Sequence, residues 1–388
     1  MPHSRKAIIV GAGIAGLTAA LRLRQAGWEP VVIERTSEPR GGGYALVLHG
    51  MGYDTVERMG ILPDLRERHF DPFELRYVRT DGRPRFSVPR SAMHAILGVR
   101  QLTLLRGDIE EILYRAIRGT VDIRFATTLA SVDQDATGVR AVLDDGTTVT
   151  ADLVIGADGV HSTVRRLAFG PEERFRRDLN HFVAAFVLDH LPAGVEQGTT
   201  TTLTTTGRTV TVTSLGPGRA AAFFVHRTPS QDAELAKEPR QAIADTFGDL
   251  DWVVPDLREQ LHRESSVYFD GLSQIILDRW SNGRVVLLGD AAWCVTLFGG
   301  YGASLAIGGA DQLATALQRH PDDIHAALDA WETRLRPTVE NKQRLGRRNT
   351  TAHAPPTPLH LVARNLTMRL AVTPPVQQLL RRHLQVRG

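Results

Sequence analysis

Three glycines near the start of the chain have the spacing of a phosphate-binding loop. Gly11, Gly13 and Gly16 follow the apolar run AIIV, and a second apolar run further on leads to Glu34. In a strand–helix–strand unit, the first glycine permits a tight turn, the second lets the backbone approach a pyrophosphate, and the third lets the helix pack on the strand. The spacing therefore predicts that a pyrophosphate binds at the start of a helix beginning near Ile14.

The acid that completes this pattern is Glu34. It lies 23 residues after Gly11, close to the roughly 20-residue interval of a carboxylate that binds ribose hydroxyls. Its charge favours a free 2′-hydroxyl, because it would repel a 2′-phosphate. A basic pair before an apolar run also resembles a secretion signal, but the glycines and the second strand continue the pattern in register. We therefore interpret the stretch as a dinucleotide site, which by itself does not distinguish FAD from NAD.

Two further acids follow apolar runs that are predicted to be buried strands. Asp158 comes after the run from Leu153 to Ile155, and Asp290 comes after the run from Val285 to Leu288. Either acid alone is typical of an ordinary helix cap. Their occurrence in one chain with the N-terminal glycines indicates that separate segments converge on one dinucleotide.

The composition excludes several other classes of protein. Among 388 residues, 46 are basic and 43 acidic, and because they are interleaved along the chain a nucleic-acid partner is disfavoured. No apolar run reaches the roughly 18 residues that span a bilayer. The single cysteine, Cys294, precludes an intrachain disulfide and argues against a metal cluster. We expect a cytoplasmic monomer or homodimer that binds neither metal, membrane nor nucleic acid.

The elements that must position these acids alternate strands, turns and helices, and then change character. A short helix is predicted over residues 51–59, a hairpin around Asp81-Gly82, and a helix starting at Arg106. Residues from about 175 to 275 contain β-branched extended runs, including a threonine-rich stretch at 199–206, and indicate an antiparallel sheet. The strand–turn–helix pattern then returns, which predicts an α/β dinucleotide domain interrupted by a β-sheet domain.

Taken together, Gly11-Ala12-Gly13-Ile14-Ala15-Gly16, Asp158-Gly159 and Gly289-Asp290 resemble the class A FAD-dependent monooxygenases of the p-hydroxybenzoate hydroxylase fold. The stretch RGGGYALVLHGMGYDTVERMG and the helix start at Leu105–Asp108 are similar in particular to the tetracycline-inactivating flavin monooxygenases. The resemblance covers most of residues 1–345. It implies a Rossmann-like FAD-binding domain (1–70, 98–175 and 276–345) interrupted by an antiparallel β-sheet substrate domain (71–97 and 176–275), with a C-terminal bridging helical segment (346–388).

The resemblance also implies which residues hold FAD. Glu34 would bind the adenosine ribose, Arg106 would reach the FAD linker, and Asp290 would bind ribityl or pyrophosphate hydroxyls. Asp158 would serve both FAD and the approaching nicotinamide donor. The helix that starts near Gly302 would face the flavin edge that becomes negative on reduction. The predicted cofactor-binding residues are Gly11, Gly13, Ile14, Ala15, Gly16, Glu34, Arg35, Arg106, Asp158, Asp290, Gly300, Gly302 and Ala303.

The reaction implied by the resemblance is monooxygenation. NAD(P)H, bound transiently, would reduce a tightly but noncovalently bound FAD, and O₂ would give a flavin C4a-hydroperoxide. One oxygen atom would then enter a hydrophobic, aromatic or polycyclic natural product, as in antibiotic biosynthesis or modification. A reductase or a redox-silent cyclase of the same fold is an alternative, as is a non-catalytic protein that binds an aromatic ligand. A halogenase is disfavoured because no Trp-x-Trp pair occurs.

One segment departs from the pattern of the family. After Asp290, where relatives carry prolines, this chain has the run WCVTLF, with Leu297 at the common proline position and Tyr301 where glutamine is typical. No catalytic triad or carboxylate pair is required by the implied reaction. The candidate residues for the substrate pocket are Trp293, Phe298, His49 and His226, and Tyr268 is a further candidate base.

Overall fold

The computed structural model describes residues 4–39, 44–70, 74–92, 100–264 and 267–371. Its first layer is a six-stranded sheet with the order β17-β18-β11-β1-β2-β7. The predicted strand–helix–strand unit is confirmed as β1 (Lys6–Val10), α1 (Ile14–Gln25) and β2 (Glu29–Ile33). The other strands are β7 (Asp122–Arg124), β11 (Leu153–Gly156), β17 (Ser281–Asn282) and β18 (Val285–Leu287).

The order of the central strands explains how distant segments meet. β1 pairs in parallel with β11, and β11 pairs in parallel with β18. Because parallel strands end at the same edge of a sheet, the segments that follow β1, β11 and β18 lie side by side. Those segments begin with Gly11, Ala157 and Leu288, immediately before the predicted cofactor residues.

Between the strands of this sheet, the chain forms a cover of helices and small sheets. β3 (Ala45–His49) pairs antiparallel with β6 (Gln101–Leu105). The helices predicted at residue 51 and at Arg106 are confirmed. The helices are α2 (Met51–Arg58), α3 (Leu62–Arg68), α4 (Arg106–Ile117) and α5 (Thr163–Ala168), and a three-stranded sheet contains β8 (Leu129–Gln134), β9 (Val139–Leu143) and β10 (Thr148–Ala151).

The second layer is a seven-stranded sheet with the order β16-β12-β15-β14-β13-β4-β5. Neighbouring strands are antiparallel except β13 and β4, which pair in parallel. The β4–β5 hairpin comes from the N-terminal half of the chain and forms one edge of the sheet. The strands are β4 (Glu74–Val78), β5 (Pro84–Val88), β12 (Arg176–Leu188), β13 (Thr199–Thr205), β14 (Arg208–Ser214), β15 (Ala220–Arg227) and β16 (Tyr268–Ile275).

One face of this sheet packs on helices, and the other carries a row of threonines. The covered face contacts α7 (Pro239–Phe247) and α8 (Val254–Arg263), which follow the short α6 (Gln231–Leu235). On the other face lie alternate threonines of the hairpin that β13 forms with β14. Its alternate hydroxyls pair across the strands at 3.1–3.3 Å, as Thr200 with Thr213, Thr202 with Thr211, and Thr204 with Thr209.

The C-terminal part of the chain is helical. It contains α9 (Asp290–Trp293), α10 (Gly302–Arg319), α11 (Ile324–His353) and α12 (Pro358–Ala371). The predicted boundary between residues 345 and 346 falls inside α11, and the break before the final helix comes later, at the prolines of residues 355 and 356. Within the described ranges, no helix combines the length and apolar character needed to cross a membrane.

Candidate cofactor and substrate site

The loop between β1 and α1 is tightly packed at two glycines and open at the third. Gly11 has a φ of 106°, and a Cβ there would lie 2.5 Å from the carbonyl oxygen of Ala157. A Cβ on Gly16 would overlap the carbonyl oxygen of Gly11. A Cβ on Gly13 would meet nothing nearer than 3.6 Å, where the Glu110 carboxylate lies. The backbone is therefore accessible at Gly13, where a pyrophosphate must approach.

The helices α1 and α10 each begin with backbone N–H groups that no side chain caps within the described residues. Gly13 precedes α1 and Tyr301 precedes α10, and in the part of the chain that the structure describes neither helix has a capping side chain or an acid in its first turn. Ser162, Ser230 and Asp323, by contrast, cap the helices that follow them. The first N–H groups of α1 and α10 can therefore bind an anion.

Glu34 lies beside the glycine-rich loop. Its Oε2 atom accepts a hydrogen bond of 2.8 Å from the backbone N–H of Ala12, and its Oε1 atom accepts one of 3.0 Å from the N–H of Thr36. The neighbouring Arg35 is exposed. These contacts fix the carboxylate at the end of β2, next to the helix start, which is compatible with a ribose contact.

Asp158 acts as a helix cap in this structure. Its carboxylate accepts a hydrogen bond of 2.5 Å from the hydroxyl of Ser162 and one of 3.1 Å from the N–H of Val164, at the start of α5. Burial raises the pKa of the Asp158 carboxyl, and the hydrogen bond from Ser162 lowers it. The predicted double role toward FAD and the nicotinamide donor stays a prediction.

Arg165 connects the Asp158 loop to the helix of Asp290. The sequence analysis did not identify this buried arginine. The side chain of Arg165 is fully buried, and its guanidinium donates to the carbonyl oxygens of Val160 at 2.6 Å and Ala291 at 3.0 Å. It also pairs with Glu172 at 2.9 Å. Arg165 therefore holds the loop after β11 against the helix that starts at Asp290.

Arg106, Tyr44 and Asp290 lie close together beside the open glycine, on a surface that we call the cleft. The Arg106 guanidinium lies near Gly13 and bonds to Glu110 at 3.1 Å. Burial alone would lower the pKa of Arg106. Neighbouring groups, above all the Glu110 carboxylate, outweigh this effect, so the pKa of Arg106 is raised above its ordinary value. Burial also raises the pKa of Asp290, and it raises the pKa of Tyr44 to about 12. Asp290 nevertheless has an exposed surface and Tyr44 is half-buried, so a ligand can reach both side chains.

An aromatic cluster continues the cleft toward the seven-stranded sheet. The ring of Tyr44 lies 5.3 Å from that of Tyr268 and 6.4 Å from that of Phe223. Phe223 and Tyr268 pack in turn against the apolar cluster that contains the buried Phe298. The structure thus brings two of the predicted pocket residues, Tyr268 and Phe298, into one cluster. Burial raises the pKa of Tyr268 well above its ordinary value, so its hydroxyl stays protonated at neutral pH.

His49 lies at the start of α10 rather than in the aromatic cluster. Its Nε2 atom is 3.2 Å from the carbonyl oxygen of Gly300, and its ring makes an edge contact of 4.6 Å with Tyr301. Its backbone N–H donates to the hydroxyl of Ser304 at 3.2 Å. Burial lowers the pKa of His49. A neutral imidazole in this position supports the loop from Gly300 to Gly302, which is predicted to face the flavin.

Two predicted pocket residues lie elsewhere. His226 is on the helix-covered side of β15, with its ring 5.9 Å from that of Phe247, because strand alternation turns it away from Phe223. Trp293 is 1% exposed and packs at 4.5 Å on Trp280 and at 5.7 Å on Trp331. It is a core residue, in contrast to the predicted pocket wall.

The long helix α11 holds the segment in which this chain departs from the family pattern. The amide of Gln343 donates to the carbonyl oxygen of Trp293 at 3.3 Å, and the amide of Asn349 donates to that of Phe298 at 3.0 Å. At Gly346, a Cβ would lie 2.5 Å from the carbonyl oxygen of Val295. These contacts fix a backbone that Leu297 leaves without the restraint of proline. The spacing of three to four residues along α11 is a signal that could have predicted this face.

The cleft fits a flavin dinucleotide in its chemistry. An open glycine, uncapped N–H groups and the Arg106 guanidinium can bind a pyrophosphate, and Asp290 offers an acceptor for hydroxyl groups. The aromatic cluster offers an apolar surface at the far end of the cleft. These features lie in a continuous series from Gly13 to Phe298.

Comparison with known proteins agrees with this chemistry. A family model described as an FAD binding domain matches residues 4–341. The chain is 30% identical over 358 residues to a flavin-dependent monooxygenase of Legionella longbeachae, with 89% of each chain covered. The crystal structure of tetracycline destructase Tet(51) matches with a TM-score of 0.80 at 28% identity, covering 96% of this chain and 98% of that one.

A second solved structure is that of HpxO from Klebsiella pneumoniae, complexed with FAD and uric acid. It matches with a TM-score of 0.78 at 25% identity, covering 97% of this chain and 96% of that one. The family model alone spans most of the chain. The chain therefore belongs to the FAD-binding family of flavin-dependent monooxygenases.

Proposed function

We propose that the protein inserts one oxygen atom of O₂ into a hydrophobic aromatic or polycyclic small molecule, with FAD as cofactor and NAD(P)H as reductant. The observation that carries the proposal is the series of neighbouring residues that runs from Gly13 through Arg106 and Tyr44 to the aromatic cluster. A cofactor bound along this line would have its phosphates at the glycine-rich loop and its reactive ring beside the aromatic residues.

Different residues of the site would bind different parts of FAD. The N–H groups at the start of α1 and the guanidinium of Arg106 would hold the pyrophosphate, and Glu34 would hold the adenosine ribose. Asp290 would accept hydrogen bonds from hydroxyl groups of the linker. The N–H groups at the start of α10 would stabilise negative charge at the ring edge. The bound cofactor supplies the oxidation–reduction chemistry, taking electrons from NAD(P)H and activating O₂.

The aromatic cluster would keep water away from the reacting atoms and orient the substrate. Tyr44, Phe223 and Tyr268 present flat apolar faces, which bind a planar substrate at little cost in side-chain entropy. Tyr268 stays protonated at neutral pH, so it can donate a hydrogen bond to the substrate but cannot act as a base. Water exclusion favours transfer of oxygen to substrate over its loss to solvent.

The nicotinamide donor would bind transiently. One glycine-rich strand–helix–strand unit, β1-α1-β2, occurs among the residues that the structure describes, and it is assigned to FAD. A donor without a nucleotide-binding domain of its own must reach the flavin and leave again. A complex with NAD(P)H held on a second doubly wound domain would contradict this part of the proposal.

Incubation with ¹⁸O₂ and a reductant tests the reaction directly. The FAD-loaded protein is given NADPH or NADH. Tetracycline and uric acid are the first probes, because Tet(51) is a tetracycline destructase and the HpxO structure contains uric acid. A panel of polycyclic phenols follows. We expect a product that gains one ¹⁸O atom, detected by mass spectrometry. Nicotinamide oxidation without any labelled product favours a reductase, and neither oxidation nor product favours a redox-silent cyclase or a binding protein.

A further inference from the structure

One histidine at the end of α11 is placed on the aromatic cluster and has no role in the site described so far. The imidazole of His353 stacks on the ring of Phe298, with a centroid distance of 4.0 Å and an interplanar angle of 5°. His353 is exposed to solvent, although many protein atoms lie around its ring. Phe298 belongs to the apolar cluster against which Phe223 and Tyr268 pack, so His353 lies beside that cluster.

The backbone around His353 is held from two sides. The last carbonyl groups of a helix have no partner within the helix. Here the Thr209 hydroxyl donates to the carbonyl oxygen of His353, and the N–H of Gly207 donates to that of Pro355 at 2.8 Å. From α12, the Arg364 guanidinium donates to the carbonyl oxygen of Ala352 at 2.7 Å. The position of the imidazole is therefore fixed by the sheet and by the C-terminal helix.

The imidazole is neutral and has hydrogen-bonding capacity to offer. Burial, reinforced by Arg364 and His181, lowers the pKa of His353 to about 4. One ring nitrogen therefore donates and the other accepts. Within the described ranges, neither nitrogen has a hydrogen-bond partner. A polar group that is stacked, fixed and unpartnered beside an apolar cluster can bind a polar atom of a ligand.

We propose that His353 binds the substrate, through a hydrogen bond to a hydroxyl or carbonyl group of a neutral aromatic molecule whose ring lies among Tyr44, Phe223 and Phe298. The inference rests on the proposed function, because it places the substrate in the cleft that the oxygenation requires. A neutral imidazole carries no charge that would offset the desolvation of an anionic substrate. His353 would therefore select hydroxylated neutral aromatics over apolar ones and over carboxylates.

Matched ligands and matched variants test this role. Equilibrium dialysis at neutral pH compares 2-naphthol, its methyl ether and 2-naphthoate in the wild type and in His353→Phe, which keeps a flat ring on Phe298 but removes both nitrogens. His353→Gln restores a donor and an acceptor. The control is His226→Phe, a histidine on the opposite face of the same sheet. Melting temperature and flavin content confirm that each variant is folded.

We expect the wild type to bind 2-naphthol about tenfold more tightly than its ether or 2-naphthoate, as one hydrogen bond would give. The preference should vanish in His353→Phe, return in part in His353→Gln and be unchanged in His226→Phe. A preference that survives in His353→Phe overturns the inference, as does wild-type protein that binds the three compounds equally or binds none. Since the assay needs neither NAD(P)H nor O₂, failure of oxygenation is detected separately.

Discussion

The two ends of the cleft are built in different ways. At the proposed cofactor end, Gly11, Asp158 and Asp290 each lie within three residues of the end of a parallel strand, and the sheet order brings them together. At the proposed substrate end, the cluster takes one residue from each of five separate segments, namely Tyr44, Phe223, Tyr268, Phe298 and His353. The first end depends on local backbone geometry, and the second depends on the packing of side chains that are distant in sequence.

The sharpest test of the cofactor end replaces its glycines one at a time. In Gly16→Ala, the new Cβ would overlap the backbone carbonyl of Gly11. We expect this variant to yield no soluble folded protein, or to lose all FAD, because the loop cannot shift without moving β1 and α1. Gly13→Ala is the matched control, since its Cβ has room, and it should fold and lose affinity for FAD only. Soluble yield, circular dichroism and flavin content decide the matter; a folded, yellow Gly16→Ala would contradict the account.

Trp293 tests whether the substrate end reaches the tryptophan cluster. Trp293→Ala opens a cavity between Trp280 and Trp331, and we expect the free energy of unfolding to fall by about 3–5 kcal/mol. If enough folded protein remains, the ratio of product formed to NAD(P)H consumed should stay that of the wild type. Trp293→Phe, which leaves a smaller cavity, should lose less stability. A ratio that falls sharply while stability is retained would instead place Trp293 at the reacting atoms.

Replacing Arg165 tests the link between the loop of Asp158 and the helix of Asp290. Arg165→Met removes a fully buried guanidinium and leaves Glu172 and two carbonyl groups without this partner, and we expect a loss of about 3–5 kcal/mol in the free energy of unfolding. FAD affinity should fall too, because the loop of Asp158 and the helix of Asp290 lose their connection. The neighbouring Arg166 is exposed, so Arg166→Met should change neither quantity. If Arg165→Met and Arg166→Met had the same effect on the free energy of unfolding and on FAD affinity, the contacts of Arg165 would be unimportant.

Asp290 gives the smallest expected change in stability and a dependence on pH. Burial raises the pKa of Asp290 above its ordinary value of 3.8, so its ionised form is less favourable in the folded flavin-free protein than in the unfolded chain. The wild type should therefore lose stability as the pH rises above that value. Asp290→Asn removes this cost and should raise the melting temperature at pH 7 slightly, because solvent reaches the residue and weakens the effect. The difference should disappear below about pH 4, while FAD affinity is lower throughout.

An Asp290→Asn variant that melts below the wild type at pH 7, or a difference that grows in acid, would contradict this account of the carboxylate. Thermal melts at several pH values, with flavin removed beforehand, measure the stability. A titration with FAD measures the affinity.

The sequence was informative where a short motif determines a backbone shape. The positions of Gly11, Glu34 and Asp290 at the ends of strands could be predicted because glycine spacing and strand order do not depend on side-chain packing, and their contacts with FAD stay a prediction. The strand prediction did not say which face of β15 meets the cleft, so His226 was assigned to the wrong side. Trp293 was misplaced because its contacts with Trp280 and Trp331 join segments that are far apart in the chain.

The residues that were missed depend on the same kind of information. Arg165 and His353 act through contacts with Ala291 and Phe298, at separations of 126 residues and more than fifty residues respectively. Nothing in the local sequence around His353 distinguishes it from a histidine on a solvated helix end. The three- to four-residue spacing from Gln343 through Gly346 and Asn349 to His353 defines one helix face, but not its partner.

Uptake of FAD tests the central claim most directly. Purified protein, stripped of flavin and titrated with FAD, should bind one FAD per chain, and the flavin should be released on denaturation because its attachment is noncovalent. Arg106→Ala should reduce the affinity by at least tenfold, since it removes the cation beside Gly13. A folded wild-type protein that takes up no FAD, or that binds it equally well without Arg106, would contradict the assignment of this cleft.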